Sequence, residues 1–267
     1  MRYIILLLTL YCSYATAWEQ TPPLPMGQCQ AQAPYGFPQT NKPGVAICRT
    51  GYATLNDTTA KIPVWTSYVL TPEHALGCVP RSNAFAPDQS LSKGQRAELA
   101  DYAKSGFDIG HIVPNADTSY SDLTEKESFL LSNMAPQIAN LNRGSWKAAE
   151  SSVRGWVTQR KHPYVIYIGS LYGPNDKTIG LNKVVVPHAF YKITIDAVTN
   201  EVAGFLFPHA GGLGKDLTLV RAPISQIEQE SGVKFAYPKN AVELPLTQIW
   251  PVDFGQLIKD KKAVCGK

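Results

Sequence analysis

His111, Asn142 and Glu150 are the side chains whose types and spacing reach furthest toward chemistry in this chain. A neutral imidazole accepts a proton near neutral pH, which suits His111 to a general base. An amide oxygen is an acceptable ligand for a hard cation such as Mg²⁺, which keeps several of its own waters, so Asn142 is a candidate metal ligand. If residues 142–150 are helical, Glu150 stands about 12 Å along the axis and about 80° around from Asn142. That separation works against both ligating one ion directly, and it casts Glu150 as the group that grips a water of the ion. Asn142 would also serve as a helix N-cap, and the two roles are compatible. A lone histidine is more often structural, so the weight falls on the order in which these residues occur.

Other chemistries fail on inspection. Gly169-Ser170-Leu171-Tyr172-Gly173 places its serine one position too early for a nucleophile elbow. In His209 to Asp216 the first glycine of a phosphate loop is a histidine, and Asp216 replaces the Ser/Thr that would bind magnesium. A glycine-rich turn is the better reading. No His-Glu-x-x-His zinc motif and no Cys-x-x-Cys pair occurs.

What survives is Phe107-Asp108-Ile109-Gly110-His111, then Ser132-Asn133-Met134-Ala135-Pro136-Gln137, then Asn140-Leu141-Asn142-Arg143-Gly144-Ser145-Trp146, with Glu150 beyond. The steps are 22 residues from His111 to Asn133, nine to Asn142 and eight to Glu150. This ordered set resembles the DNA/RNA non-specific endonuclease family, whose ββα-metal (His-Me) finger carries Asp-Arg-Gly-His, Ser-Asn-x-x-Pro-Gln and Leu-Asn-x-Gly-x-Trp with a later Glu. The resemblance extends to Trp65-Thr66-Ser67-Tyr68, to Pro80-Arg81-Ser82-Asn83 with Pro87-Asp88, and to Val186-Pro187 with Phe190-Tyr191-Lys192. It covers roughly Tyr52 to Gly232.

The resemblance implies a Mg²⁺-dependent endonuclease, with Mn²⁺ as an admissible substitute, that hydrolyses phosphodiester bonds in DNA and RNA to 5′-phosphate ends. His111 would activate water, Asn142 would hold the metal, and Glu150 would act through the ion's water. Arg81 would stabilise charge on the phosphorane, where a guanidinium fork matches two oxygens. Asn133 would support the site through hydrogen bonds. Phosphodiester hydrolysis needs a base for water, a cation at the phosphate and help for the leaving oxygen, and this set supplies all three. Arg143, Lys147, Arg154, Arg160 and Lys161 add a basic cluster that could contact phosphates or simply be a solvated helix face. Ile109 stands where the family has arginine. That departure supports a rival reading, a catalytically inactive nucleic-acid-binding protein; a delivered nuclease toxin with an inhibitor partner is a further alternative. A homodimer is left open.

The elements that must position these residues follow from periodicity. Trp146, Ala149, Val153, Trp156 and Val157 form one apolar stripe, so a helix begins at Asn142. Ile62, Val64, Tyr68 and Leu70 share a face of a strand whose hairpin partner lies in 45–55. Residues 164–168, 183–195 and 202–207 read as strands from their β-branched and aromatic content. Residues 92–105, 224–230 and 254–262 read as short helices. Strands on both sides of a central helix predict a single α+β domain with a central antiparallel sheet and a ββα-metal motif.

Of 267 residues, 44% are hydrophobic and 17% charged, which excludes a disordered chain, and the net charge of +4 permits an anionic partner without demanding one. Arg2, the apolar run Ile4 to Leu10 and Ala15-Thr16-Ala17 read as a signal peptide over 1–17. Six prolines mark 18–44 as an extended arm ahead of a nuclease domain at 45–267. The expectation is a secreted or periplasmic protein with no membrane attachment after cleavage. Cys29, Cys48, Cys78 and Cys265 would then form two disulfides, and of three connectivities Cys29–Cys48 with Cys78–Cys265 is the pairing proposed.

Overall fold

A computed structural model describes residues 18–266, so the leader expected at 1–17 lies outside the described residues. In chain order the strands are β1 (Gln39–Thr40), β2 (Val45–Cys48), β3 (Ala53–Asp57), β4 (Ile62–Leu70), β5 (Asp108–His111), β6 (Met134–Gln137), β7 (Tyr164–Leu171), β8 (Thr178–Ile179), β9 (Val184–Val185), β10 (Ala189–Asp196), β11 (Glu201–Pro208), β12 (Val233–Lys234) and β13 (Val242–Glu243). The α-helices are α1 (Pro72–Ala75), α2 (Leu99–Tyr102), α3 (Asp122–Glu127), α4 (Lys147–Arg160), α5 (Ile224–Ser231) and α6 (Phe254–Cys265). Seven strands form one sheet in the order β13-β11-β10-β7-β4-β3-β2. Its pairs are antiparallel except the short edge pair of β11 with β13. This is the α+β architecture with a central antiparallel sheet that the periodicity predicts.

β7 shows why the sheet is buried on both faces. Tyr164, Ile166 and Ile168 enter one core while Val165, Tyr167 and Leu171 enter the other, as the two-residue period of a strand requires. The first core packs against α4 through the predicted stripe, Trp146, Ala149, Val153, Trp156 and Val157, all buried. The second packs against α5 through Ile224 and Ile227, and against the N-terminal arm through Cys29. Burying each large apolar side chain is worth roughly 1.5–3 kcal/mol, so the two layers fix the sheet that carries the site.

Several local expectations change. The arm is not simply extended: Met26–Gln32 is a 3₁₀ helix, and β1 pairs with β12 near the far end of the fold. Both proposed disulfides form, with Cα–Cα separations of 5.7 Å for Cys29–Cys48 and 5.4 Å for Cys78–Cys265. The segment 45–55 divides into β2 and the start of β3, and a bulge at Leu55/Asn56 shifts the β3–β4 register. Val64 therefore joins the second core while Ile62, Tyr68 and Leu70 remain in the first. The helix expected over 92–105 shrinks to α2. Arg96 reaches back to the Asp88 and Leu91 carbonyls and to Glu98, and a capping box of Glu98 with Asp101 starts the helix late. The strand expected over 183–195 splits into β9 and β10 around Pro187, which cannot donate to a ladder. Among the described residues no helix is long and apolar enough to cross a membrane.

Candidate active site

β5 and β6 pair antiparallel, with His111 opposite Met134 and Ile109 opposite Pro136. A π-helical turn, Leu141–Trp146, follows and leads into α4, with Gly144 out of helical geometry at the join. Two strands and a helix thus form a finger on the α4 side of the sheet. Trp146 locks it: its indole Nε1 donates to the His111 carbonyl at 3.1 Å, tying the helix to the end of β5. A Cβ at Gly110 would strike the buried Gln137 side chain, so any larger residue there must displace Gln137.

An open cavity of about 490 Å³ lies beside this finger, and Arg81, His111, Asn142 and Glu150 all line it. Asn133 does not. It is fully buried, its Oδ1 accepting from the Val113 amide at 2.9 Å and its Nδ2 donating to the carbonyls of Val113 and Ser128. Asn133 thereby clamps the chain two residues beyond His111. Of the basic cluster, Arg143, Lys147 and Arg154 line the cavity. Arg160 does not, since it pairs with Asp196 and Glu201 at the far end of α4. Lys161 ends the helix in left-handed geometry beside it.

His111 is 8% exposed and packs edge-on against Phe129, centroids 4.9 Å apart, with Phe85 at 5.5 Å. The Arg81 guanidinium lies over the same Phe129 ring at 4.8 Å, and its Nε donates to Asn83, whose left-handed backbone suits asparagine. Burial, reinforced by the positive charge of Arg81, pushes the His111 imidazole down to about 3. The ring is therefore neutral at physiological pH and able to accept a proton.

Asn142 donates from Nδ2 to Asp108 at 2.8 Å, while Arg143 binds both oxygens of the same carboxylate at 2.7 and 2.9 Å. An ionised carboxylate only accepts, and the hydrogen bonds from Arg143 and Asn142 hold the Asp108 carboxyl below its ordinary value, so it is ionised here. The amide orientation of Asn142 follows: its nitrogen faces Asp108, and its Oδ1 has no donor among the described residues. Glu150 likewise accepts no hydrogen bond from a described residue. Desolvation raises its carboxyl to about 7, opposed by Lys192 and Arg154 and assisted by Asp117. Lys192 is buried behind the cavity lining, its Nζ 5.0 Å over the Trp146 ring and without a hydrogen-bond partner among the described residues. Arg154 pairs with Asp117 at 2.8 Å, and Asp117 also accepts from the Tyr68 hydroxyl.

Sequence reasoning passed over Asp108, Lys192, Asp117 and the Phe85–Phe129 pair. Asp108 was visible inside the His111 motif, and Lys192 as a charge within an apolar strand run; Asp117 carried no signal. Ile109 lines the cavity and packs on the first core, so an apolar side chain occupies the place of the family arginine.

The family model of the DNA/RNA non-specific endonucleases matches residues 30–241. Endonuclease G, mitochondrial, from Bos taurus is 32% identical over 76% of this chain and 72% of its own length. A nuclease from Nostoc sp. is 30% identical over 60% of this chain and 62% of its own. The EndoG chain in the crystal structure of the EndoG/EndoGI complex superposes with a TM-score of 0.70 at 26% identity, covering 86% of this chain and 94% of that one. The expectation of a secreted or periplasmic protein is corrected by these relatives, several of which are named mitochondrial, although the Nostoc nuclease is bacterial. One arginine ahead of a short apolar run does not specify which membrane reads a leader. Motif, finger and matches agree, and the chain belongs to the DNA/RNA non-specific endonuclease family.

Proposed function

We propose that the protein is a Mg²⁺-dependent endonuclease cutting both DNA and RNA to 5′-phosphate ends, with Mn²⁺ able to substitute. The observation that carries this reading is the convergence of Arg81, His111, Asn142 and Glu150 on one cavity. No group of three His, Cys, Asp or Glu side chains able to cage a metal occurs among the described residues. A free amide oxygen with a carboxylate in the same cavity suits a hard ion that keeps its waters, so the donor set fits Mg²⁺. Asn142 would hold the ion through Oδ1, and Glu150 would anchor its hydration shell. When bound, the cation supplies charge stabilisation at the phosphate and at the departing oxygen.

The chain's own residues do the rest. His111, neutral and held by Asn133 and Trp146, takes the proton of the attacking water. Arg81 is poised on Phe129 to meet the charge that develops on the phosphate oxygens. Nothing here uses a 2′-hydroxyl, which is why both nucleic acids serve. Ile109 favours the second reading, binding without cutting. Plasmid DNA and a structured RNA incubated with the protein, with EDTA and then excess Mg²⁺, separate the two. Metal-restored cleavage of both, with ends that ligase accepts, supports the enzyme; retention without cleavage supports the binder.

A further inference from the structure

α6 contains no buried residue, yet it is fastened at both ends. Cys265 at its C-terminus is bonded to Cys78, three residues before Arg81. Lys261 donates to the Gly77 carbonyl. At its N-terminus the Asp253 backbone exchanges two hydrogen bonds with the side-chain amide of Gln159 on α4, and the Asp253 carboxylate caps the helix by accepting from the Gln256 backbone amide. Hydrophobic packing normally holds a surface helix, and here cross-links and polar clamps do so. Apolar side chains are left in water: Phe254 is 46% exposed and Ile258 67%.

Two further cavities flank the one that holds His111. One, of about 260 Å³, shares Arg143 and Lys147 with it and adds Lys215 and Phe254. The other, of about 370 Å³, shares Arg154 and adds Ile258, Lys261 and Lys262. Ser151 of α4 lines both, so α6 forms the outer wall of each. Every charged side chain on the two flanking linings is positive. Arg143 and Arg154 are paired with Asp108 and Asp117, whereas Lys147, Lys215 and Lys262 form no ion pair among the described residues. α6 also lies outside the residues that the family model matches.

We propose that α6 is a disulfide-anchored wall of the nucleic-acid cleft, binding the substrate strand on either side of the scissile phosphate. Lys215 and Lys262 contact flanking phosphates, and Phe254 offers a ring on which a base stacks. The proposal rests on the nuclease reading for where the scissile phosphate lies, but binding can be measured without cleavage. The cross-link between Cys78 and Cys265 keeps this wall in register with Arg81.

The test measures binding of a labelled 30-nucleotide DNA strand in EDTA by fluorescence anisotropy, across a salt series. Lys215→Gln/Lys262→Gln should weaken binding about tenfold and flatten the log–log salt slope by roughly 1.4, about 0.7 per lost contact on a single strand. Phe254→Ala and the pair Cys78→Ser/Cys265→Ser should each weaken it several-fold. With Mg²⁺ present, a dinucleotide substrate too short to reach α6 should be cut by these variants at the wild-type rate. Unchanged affinity and slope in the lysine variant would overturn the proposal. So would unchanged binding in Phe254→Ala accompanied by loss of a dimer in sedimentation, which would assign the face to a second copy. A wild-type protein that cuts neither substrate, yet shows the binding losses, would remove the nuclease reading and leave the wall standing.

Discussion

Asp108 and Asn142 are joined by a 2.8 Å hydrogen bond in which the carboxylate can only accept, and this settles which atom of the amide remains free. The same carboxylate binds Arg143 at two points, so one side chain on β5 orders the opening of the π-helical turn. Groups that orient a ligand typically contribute 10–100-fold to metal affinity. Asp108→Ala should raise the half-saturating metal concentration by about that factor. Mn²⁺ binding followed by electron paramagnetic resonance measures it without reference to cleavage, and an unchanged affinity would refute Asn142 as the ligand.

His111 should govern acid stability. Its folded value of about 3 lies below the ordinary 6.5, because burial and Arg81 resist the proton. As pH falls below 6.5 the unfolded chain takes up a proton that the folded site refuses, so stability is present above 6.5 and is lost toward 3. The slope reaches about 1.4 kcal/mol per pH unit. His111→Gln should remove that component, and urea melts at pH 7, 5.5 and 4 should show a shallower decline than wild type. Parallel declines would mean that the imidazole is not held neutral by its surroundings.

Glu150 carries the opposite sign. Burial raises its carboxyl from 4.5 to about 7, so its contribution to stability is present below the unfolded value and lost as pH rises through about 7. Glu150→Gln should melt higher than wild type at pH 8 and equally at pH 4, while cleavage falls. Mg²⁺ should raise the wild-type melting temperature at pH 8 more than that of the variant. A variant that melts lower at pH 8 would contradict the assignment.

Ile109 faces the cavity, and a longer side chain there has an outlet to solvent. Ile109→Arg should therefore fold and should preserve or modestly raise cleavage, with any instability traceable to lost packing on the first core. Arg81→Ala should lower the rate by orders of magnitude without abolishing it. Cleavage that appears only in Ile109→Arg would identify the natural chain as a binder.

Much of this was legible in the sequence, for physical reasons that differ by element. The stripe from Trp146 to Val157 announced α4, because helical spacing and burial demand the same residues. The spacing from His111 to Glu150 announced the finger, because two strands and a helix need that much chain. What stayed hidden depended on tertiary partners. Arg96 shortened α2 by bonding to carbonyls that no local pattern marks. Lys192 reads as an ordinary strand lysine until Trp146 and the sheet close over it. The basic cluster divided because Arg160 found Asp196 and Glu201, residues that β10 and β11 alone bring near.

The central claim is that His111 is the base of a metal-dependent phosphodiesterase. The direct measurement is the single-turnover cleavage rate of one short DNA duplex by wild type and His111→Ala, at matched protein and Mg²⁺, with EDTA controls. The account predicts metal-dependent wild-type cleavage and a loss of about 10²–10⁴-fold in the variant, with the fold intact by circular dichroism. Equal rates for the two proteins, or wild-type cleavage that persists in EDTA, would contradict it.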